Sequence, residues 1–203
     1  MKTSKTFLFL LLVCFVTTCT RTRVVSFTDP DAEGRIFNRI AVLADVADLS
    51  DQQTMETKIV ETLRDHGVYA IPSIELLPPT REFTIEQENE IFREHNIDAL
   101  LILQISDTGF YNETESMRVH TNSDSEGSET TVSGGGVDQK AFGQFRVTLI
   151  DLASDKKMWI GDADTHTIFD FDEPDMDMRS VLKGSSKKIA EELVKTGLVR
   201  TSK

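Results

Sequence analysis

The stretch "ALLILQI", residues 99–105, is the most apolar run of the chain after the apolar segment near its start. A short, continuous run of branched and aliphatic residues is typical of a strand that is covered on both faces of a sheet. The run therefore predicts a central strand, buried on both faces, with Leu101 and Leu103 as core positions.

Strands and helices alternate in the part of the chain that precedes this run. The first helix is predicted to begin near Ser50, a capping residue, and to end at Gly67, which tolerates the left-handed conformation. The second begins at Thr84, where the capping pattern repeats with Gln87, and runs to about His95. Short runs of branched residues predict two strands, at residues 36–44 and 68–71.

The second half of the chain predicts a strand hairpin followed by a helix. "AFGQFRVTLIDLAS" (141–154) and "MWIGDADTHTIF" (158–169) are joined by a connection so short that antiparallel pairing follows. Pro174 fits the first position of the last helix, in which Gly184 is a weak point. Its predicted inner face consists of Met178, Leu182, Ser185, Ile189 and Leu193. The fold class is therefore α/β (α+β), a mixed sheet of about 4–6 strands with packed helices. The order is β-α-β-α-β-β-β-α in one domain, residues 36–203.

Two polar segments flank these elements. Residues 121–136, "TNSDSEGSETTVSGGG", contain one apolar residue, Val132. Such a segment buries too little surface to offset its ordering entropy, so a polar mobile loop is predicted, either a long hairpin tip or a surface loop. Residues 19–35 lack a sustained period and are predicted to form a tether.

The start of the chain has the features of a targeting signal. Two lysines precede an apolar run of ten residues, too short for a membrane-spanning helix of roughly 20 residues. Val16, Thr17 and Thr18 precede Cys19, which resembles a bacterial lipobox, although Gly, Ala or Ser is usual where Thr18 stands. We expect a signal peptide at residues 1–18 and lipid attachment at Cys19. The alternative is an ordinary signal peptide cleaved nearby, with Cys19 incidental.

Cysteine content and charge exclude several classes of function. The two cysteines are Cys14 and Cys19, so the remaining chain has none for a disulfide, a catalytic thiol or a thiolate metal site. The first 18 residues hold two of the 22 basic and none of the 34 acidic residues, which leaves a formal net charge of −14. An acidic domain repels nucleic-acid phosphates, so no nucleic-acid partner is expected.

Two motifs carry a resemblance to a known group of proteins. "IDALLILQI" and "LIDLASDKKMWIGD", with Trp159 after the turn, resemble the group formed by the TolB amino-terminal domain, LpoB and the CsgG periplasmic domain. The similarity covers residues 36–198. It implies a non-catalytic bacterial envelope lipoprotein, anchored by its N-terminal lipid, which binds or regulates a protein partner in assembly, secretion or cell-wall work.

The same resemblance bears on location and assembly. Thr20, rather than Asp, follows Cys19, which in lipoproteins favours the outer membrane over the inner membrane. The resemblance implies no cofactor and leaves a homo-oligomer open. The partner and the residues that bind it are not identified by the sequence.

One set of side chains suggests another chemistry. Asp162, Asp164 and His166 alternate along a predicted strand and therefore share one face. Two carboxylates and an imidazole are ligands that divalent metals accept, so the alternative function is a small metal-dependent or hydrolytic periplasmic enzyme. We favour the interpretation that they form a solvated strand face opposite Trp159 and Ala163. No catalytic residue set is predicted.

Overall fold

The computed structural model of the protein describes residues 20–114, 118–124, 127–133, 137–167 and 174–201, with side chains described over 20–112, 140–167 and 179–201. The strands are β1 (Thr20–Thr28), β2 (Arg39–Asp45), β3 (Tyr69–Pro72), β4 (Ala99–Thr114), β5 (Arg118–Asp124), β6 (Gly127–Ser133), β7 (Val137–Asp151) and β8 (Lys156–Thr167). The helices are α1 (Leu49–Asp65), α2 (Ser73–Leu76), α3 (Ile85–Glu94) and α4 (Pro174–Lys195), with a 3-10 turn at Pro30–Ala32. The predicted cleavable segment and Cys19 lie outside the described residues.

Six strands form one mixed sheet in the order β1-β8-β7-β4-β2-β3, which confirms the predicted fold class. β2 pairs in parallel with β3 and β4, whereas β4, β7, β8 and β1 pair antiparallel. β5 and β6 form a separate two-stranded sheet. The run "ALLILQI" opens β4 and lies between β7 and β2, so its central position is confirmed.

The main hydrophobic core lies between one face of the sheet and the helices α1 and α4. Leu101 and Leu103 are fully buried there, and Trp159 joins them. The predicted inner face of α4 is confirmed at four positions, since the side chain of Met178 lies outside those described. The buried residues that the two helices contribute include Met55, Ile59, Leu63, Leu182, Ser185, Ile189 and Leu193.

A smaller cluster covers one corner of the opposite face. Phe92 of α3 and Ile97 pack against Ala41 and Ile71, which belong to β2 and β3. Leu100 is partly buried against this cluster. The run "ALLILQI" is therefore fully buried on the face of the main core, and on the opposite face it is only partly buried, at this corner.

Local capping explains where most helices begin and end. Thr84 and Gln87 form the predicted capping box, and α3 ends at the predicted position. Gly67 and Gly197 adopt φ angles of 78° and 75°, as expected for left-handed helix ends. Ser50 was the wrong cap for α1: the carboxylate of Asp48 accepts a hydrogen bond from the backbone N–H of Asp51.

A buried carboxylate joins α1 to the two segments beside it. Glu56 is fully buried, and its Oε1 accepts hydrogen bonds from Ala44 N at 3.1 Å, Gln52 Nε2 at 2.9 Å and Ser73 Oγ at 2.8 Å. Its Oε2 accepts one from Ile74 N at 3.0 Å. These four donors compensate the loss of solvent, and together they tie α1 to the end of β2 and the start of α2.

One of the two predictions about polar segments needs correction. The expected tether at residues 19–35 contains β1, which pairs with β8 over nine residues from Thr20↔Thr167 to Thr28↔Trp159. The segment 121–136, predicted as a mobile hairpin tip or surface loop, contains most of the hairpin of β5 and β6. In both cases strand pairing with a partner segment supplies backbone hydrogen bonds that composition does not reveal. The mobility of the hairpin stays a prediction.

None of the helices in the described part of the chain combines the length and apolar composition that a membrane crossing requires.

Candidate functional site

One large surface of the sheet carries no helix in the described structure, and we call it the open face. It is the side of β1, β8, β7 and the adjoining part of β4 that is opposite to α1 and α4. Cross-strand pairing aligns its side chains in rows. Its members are Arg21, Arg23, Val25, Phe27, Ile102, Gln104, Asp107, Tyr111, Phe142, Gln144, Arg146, Thr148, Ile160, Asp162, Asp164 and His166.

A bulge in β4 determines which of its side chains belong to the open face. The pairing with β7 shifts between Ile105 and Asp107, so one residue is added without a partner. Before the bulge the even-numbered residues, such as Ile102, face outward; after it, the odd-numbered ones do. The bulge thereby places Tyr111 on the open face, where its ring lies 6.3 Å from the ring of Phe142.

A charged row crosses the middle of the open face. The Arg146 guanidinium donates two hydrogen bonds to the Asp162 carboxylate, at 2.8 Å and 3.1 Å. This paired geometry holds the pKa of Asp162 below its usual value and raises the pKa of Arg146. Farther along the same row, Gln104 Nε2 donates to Asp45 Oδ2 at 3.0 Å. The row fixes the direction of its polar groups while leaving them in contact with solvent.

An aromatic cluster, formed by Tyr111, Phe142 and His166, lies nearer the amino-terminal end of β1. The ring of His166 stands edge-on to Tyr111 at 5.8 Å and is tilted towards Phe142 at 6.4 Å. His166 Nε2 lies 2.9 Å from Asp164 Oδ1. The cluster combines the rings of Tyr111 and Phe142 with a carboxylate and an imidazole.

The three metal-site candidates do not act as one group. The structure places Asp162, Asp164 and His166 on the open face, but Arg146 occupies both oxygens of Asp162. Only Asp164 and His166 come together. No cluster of three or more potential metal ligands occurs among the described residues. The pair is the remaining part of the enzyme alternative, which stoichiometric Zn²⁺ or Mn²⁺ in the purified protein would support.

Sequence analysis missed the contribution of β1 to this surface. Val25 and Phe27 are 59% and 64% exposed, and Arg21 and Arg23 precede them on the same side of the strand. The signal was present as a period of two: Thr20, Thr22 and Val24 alternate with the outward residues.

Comparisons with known proteins bear on the fold. No family model matches the chain, and no curated protein matches it. Among solved structures, the PelC dodecamer from Paraburkholderia phytofirmans is 14% identical, with a TM-score of 0.51 over 89% of this chain and 100% of that chain. A second PelC dodecamer structure, of a substituted form from the same organism, gives 13% identity and a TM-score of 0.50 over 85% and 98%.

Weaker likenesses include proteins that are lipoproteins by name. Lipoprotein GNA1162 from Neisseria meningitidis is 13% identical, with a TM-score of 0.41 over 78% of this chain and 96% of that chain. A minor lipoprotein from Acinetobacter baumannii is 10% identical, with a TM-score of 0.38 over 80% and 96%. The likeness to the two PelC structures shows fold and not function, and the comparisons do not single out the TolB, LpoB and CsgG group. The chain has the fold of a PelC protomer.

Proposed function

We propose that the protein is a non-catalytic bacterial envelope lipoprotein, acylated at Cys19, whose open face binds a protein partner. The observation that carries the proposal is the open face itself. It offers an extended sheet surface on which apolar, aromatic and charged side chains are fixed in rows, with no helix of the described structure packed over it. The lipobox-like start of the chain supports the envelope location.

The composition of the open face suits recognition of a protein. Ile102 and Ile160 are half-buried and lie in one row with Thr148, next to the charged row of Arg146 and Asp162. Protein interfaces combine an apolar centre with polar groups of fixed direction at the rim, and arginine and aromatic residues are enriched in them. The open face has this arrangement.

A second copy of the chain is the other candidate for binding. The similar PelC structures are dodecamers, and this motivates a homo-oligomer as the second proposal. The two candidates differ in a measurable way, because a self-contact produces adducts of the chain with itself.

Site-specific photocrosslinking in intact cells tests the proposal. A photoreactive residue at Gln104 or Gln144, both exposed on the open face, should give an adduct with one other envelope protein. A matched probe at Glu61, exposed on the outer side of α1, should give none. Adducts from Glu61 alone would place the binding surface elsewhere, and adducts of twice the chain mass would favour the second copy.

Acylation has an independent test. Cells grown with labelled palmitate should incorporate label into the wild-type protein, and Cys19→Ser should abolish it. Label that persists in the variant would show that Cys19 is not the attachment site. Separation of the inner and outer membranes then tests the outer-membrane location that Thr20 favours.

A further inference from the structure

β1 is an edge strand with an unusual exposed side. Arg21, Arg23, Val25 and Phe27 follow one another at every second position, so two cations lead into two exposed apolar side chains. The opposite side of β1 packs on the domain, as shown by the hydrogen bond of 3.0 Å between the hydroxyls of Thr22 and Thr165. Among the described residues, neither arginine forms an ion pair.

More cations lie beside the start of this strand. Arg21, Lys187 and Lys188 line one groove between β1 and α4. The groove contains one carboxylate, Glu191, which lies 3.2 Å from Lys188 Nζ and 4.0 Å from Lys187 Nζ. Asp164 is cross-strand from Arg23, but its Oδ1 faces His166. This edge is therefore locally basic in a chain whose formal net charge is −12.

The proposed anchor adjoins this edge without a linker. Thr20 is the first residue of β1, and it lies so close to α4 that a Cβ on Gly184 would clash with its hydroxyl. Cys19 is joined directly to Thr20, and consecutive Cα atoms across a trans peptide bond are about 3.8 Å apart. Acyl chains on Cys19 would therefore hold the basic edge at the membrane surface.

The extension of β4 and β7 restricts how the sheet can be oriented relative to the membrane. These strands stay paired beyond the level of Thr20, from Tyr111↔Lys140 to Thr114↔Val137. Residues 112–138 contain six acidic residues and one basic residue, Arg118. With the strands perpendicular to the membrane, the paired ends of β4 and β7, which include Glu113 and Asp138, would enter the bilayer, where charged groups are strongly unfavourable.

An edge-on orientation avoids that cost. β7 lies two strands away from β1, a separation of roughly 10 Å at the usual strand spacing. The paired ends of β4 and β7 would then run beside the bilayer at about one Debye length or more, where the repulsion of their carboxylates is screened. Val25 and Phe27 would contact the membrane interface, and Arg21 and Arg23 would lie among the lipid headgroups.

We infer that the exposed side of β1 docks the edge of the sheet onto an anionic phospholipid bilayer. The inference rests on the acylation of Cys19 in the proposed function. Acyl chains on Cys19 would hold the protein at the bilayer, and a basic patch beside them adds electrostatic attraction to anionic lipids. Each arginine near an anionic surface contributes roughly a fivefold gain in partitioning.

A fluorescent label at position 27 tests this docking. Residues 20–203 contain no cysteine, so Phe27→Cys accepts an environment-sensitive fluorophore at one position once Cys19 is acylated. The acylated protein is reconstituted in vesicles of phosphatidylcholine and phosphatidylglycerol in a two-to-one ratio. We expect blue-shifted emission that lipid-borne nitroxides quench. The same label at Ile85, which is 72% exposed on α3, should remain in water.

Charge reversal tests the electrostatic part. Arg21→Glu with Arg23→Glu should lower the membrane-embedded fraction of the position 27 label more than tenfold at low salt. Arg81→Glu with Arg93→Glu, exposed on and before α3, is the matched control and should change nothing.

Three results would overturn the inference. A label at position 27 that stays in water on anionic vesicles excludes docking. A label that becomes buried equally in pure phosphatidylcholine, and more so at high protein density, shows that a second copy covers β1. The intact mass of the same sample shows whether Cys19 is acylated. If the protein is acylated and the label stays in water, the docking alone is refuted. If the protein carries no acyl chain, the anchor and the docking are refuted together.

Discussion

The two halves of the sheet are covered differently. In the parallel half, β2, β3 and β4 are joined by crossovers, and these crossovers supply helices to both faces. In the antiparallel half, β7 and β8 are joined by a tight turn and the one helix that follows, α4, packs on a single face. The crossover helices that connect parallel strands therefore cover both faces of the sheet, whereas a hairpin connection leaves one face exposed.

The same face shows the difference in single residues. Ala41 and Ile71 in the parallel half are 0% and 8% exposed, because α3 lies over them. Val25 and Phe27, on that face in the antiparallel half, are 59% and 64% exposed. Connection topology, rather than hydrophobicity alone, decides which apolar side chains remain available for binding.

The largest expected effect comes from truncating the shared core. Leu103→Ala should lower the free energy of unfolding by roughly 2–5 kcal/mol, the range for a buried leucine, and Leu101→Ala should behave alike. Phe27→Ala on the open face should cost less than about 0.5 kcal/mol, as for exposed positions. Urea denaturation measures both. Equal losses would show that β1 is covered within the protein itself and would remove the contrast between the halves.

A smaller loss is expected at the buried carboxylate of the parallel half. Glu56→Ala leaves the N–H groups of Ala44 and Ile74 and the hydroxyl of Ser73 without their acceptor. We expect a loss of about 2–4 kcal/mol, because each unsatisfied buried donor costs on the order of 1 kcal/mol or more. Glu61→Ala, exposed on the same helix, should change little. A neutral Glu56→Ala would mean that water replaces the carboxylate at no cost.

The third prediction concerns the docking of β1 on α4. In an isolated helix Gly184→Ala would stabilise by about 1 kcal/mol, but here the added Cβ would meet the Thr20 side chain. We expect a net loss of about 1–2 kcal/mol, typical of overpacking. Thr20→Ala in the same chain should recover most of it. Thermal unfolding of the single and double variants decides, and a stabilising Gly184→Ala would show that β1 detaches easily.

The smallest effect belongs to the charged row. Arg146 lowers the pKa of Asp162, so the pair stabilises the folded state above the ordinary aspartate pKa near 3.8. This contribution is lost as the pH falls through the lowered value. Asp162→Asn should cost at most about 0.5–1 kcal/mol at neutral pH, because exposed pairs are screened. The difference in the free energy of unfolding between Asp162→Asn and wild type should vanish in acid. The control variant Asp107→Asn should not differ from wild type. A difference that persists in acid would indicate a role other than the ion pair.

Local rules account for the elements that were predicted correctly. The capping box at Thr84, the left-handed glycine at Gly67 and the apolar run that begins β4 each depend on a few consecutive residues. The tight connection between β7 and β8 likewise implies antiparallel pairing without knowledge of the rest of the chain. For this reason the fold class and the alternation of Asp162, Asp164 and His166 were accessible from the sequence.

The candidate site was accessible only in part. The sequence placed Asp162 and His166 on one face, but it did not show that Arg146 pairs with the first and Tyr111 packs on the second. Those contacts depend on the register between strands and on the bulge after Ile105, which adds one residue to β4 and exchanges its faces. Register is a property of two segments together, so neither segment reveals it alone.

By itself, the sequence determined the kinds and order of the five strands and three helices that it predicted, and the absence of cysteine from residues 20–203. Tertiary structure alone decided that β1 is an edge strand, that Gly184 accommodates Thr20 and that Glu56 has four donors. Thr20 meets Thr167, 147 positions later in the chain, and no local pattern encodes that pairing. The physical reason is that periodicity and capping act within a few residues, whereas strand order follows from the free energy of burying one face of the whole sheet.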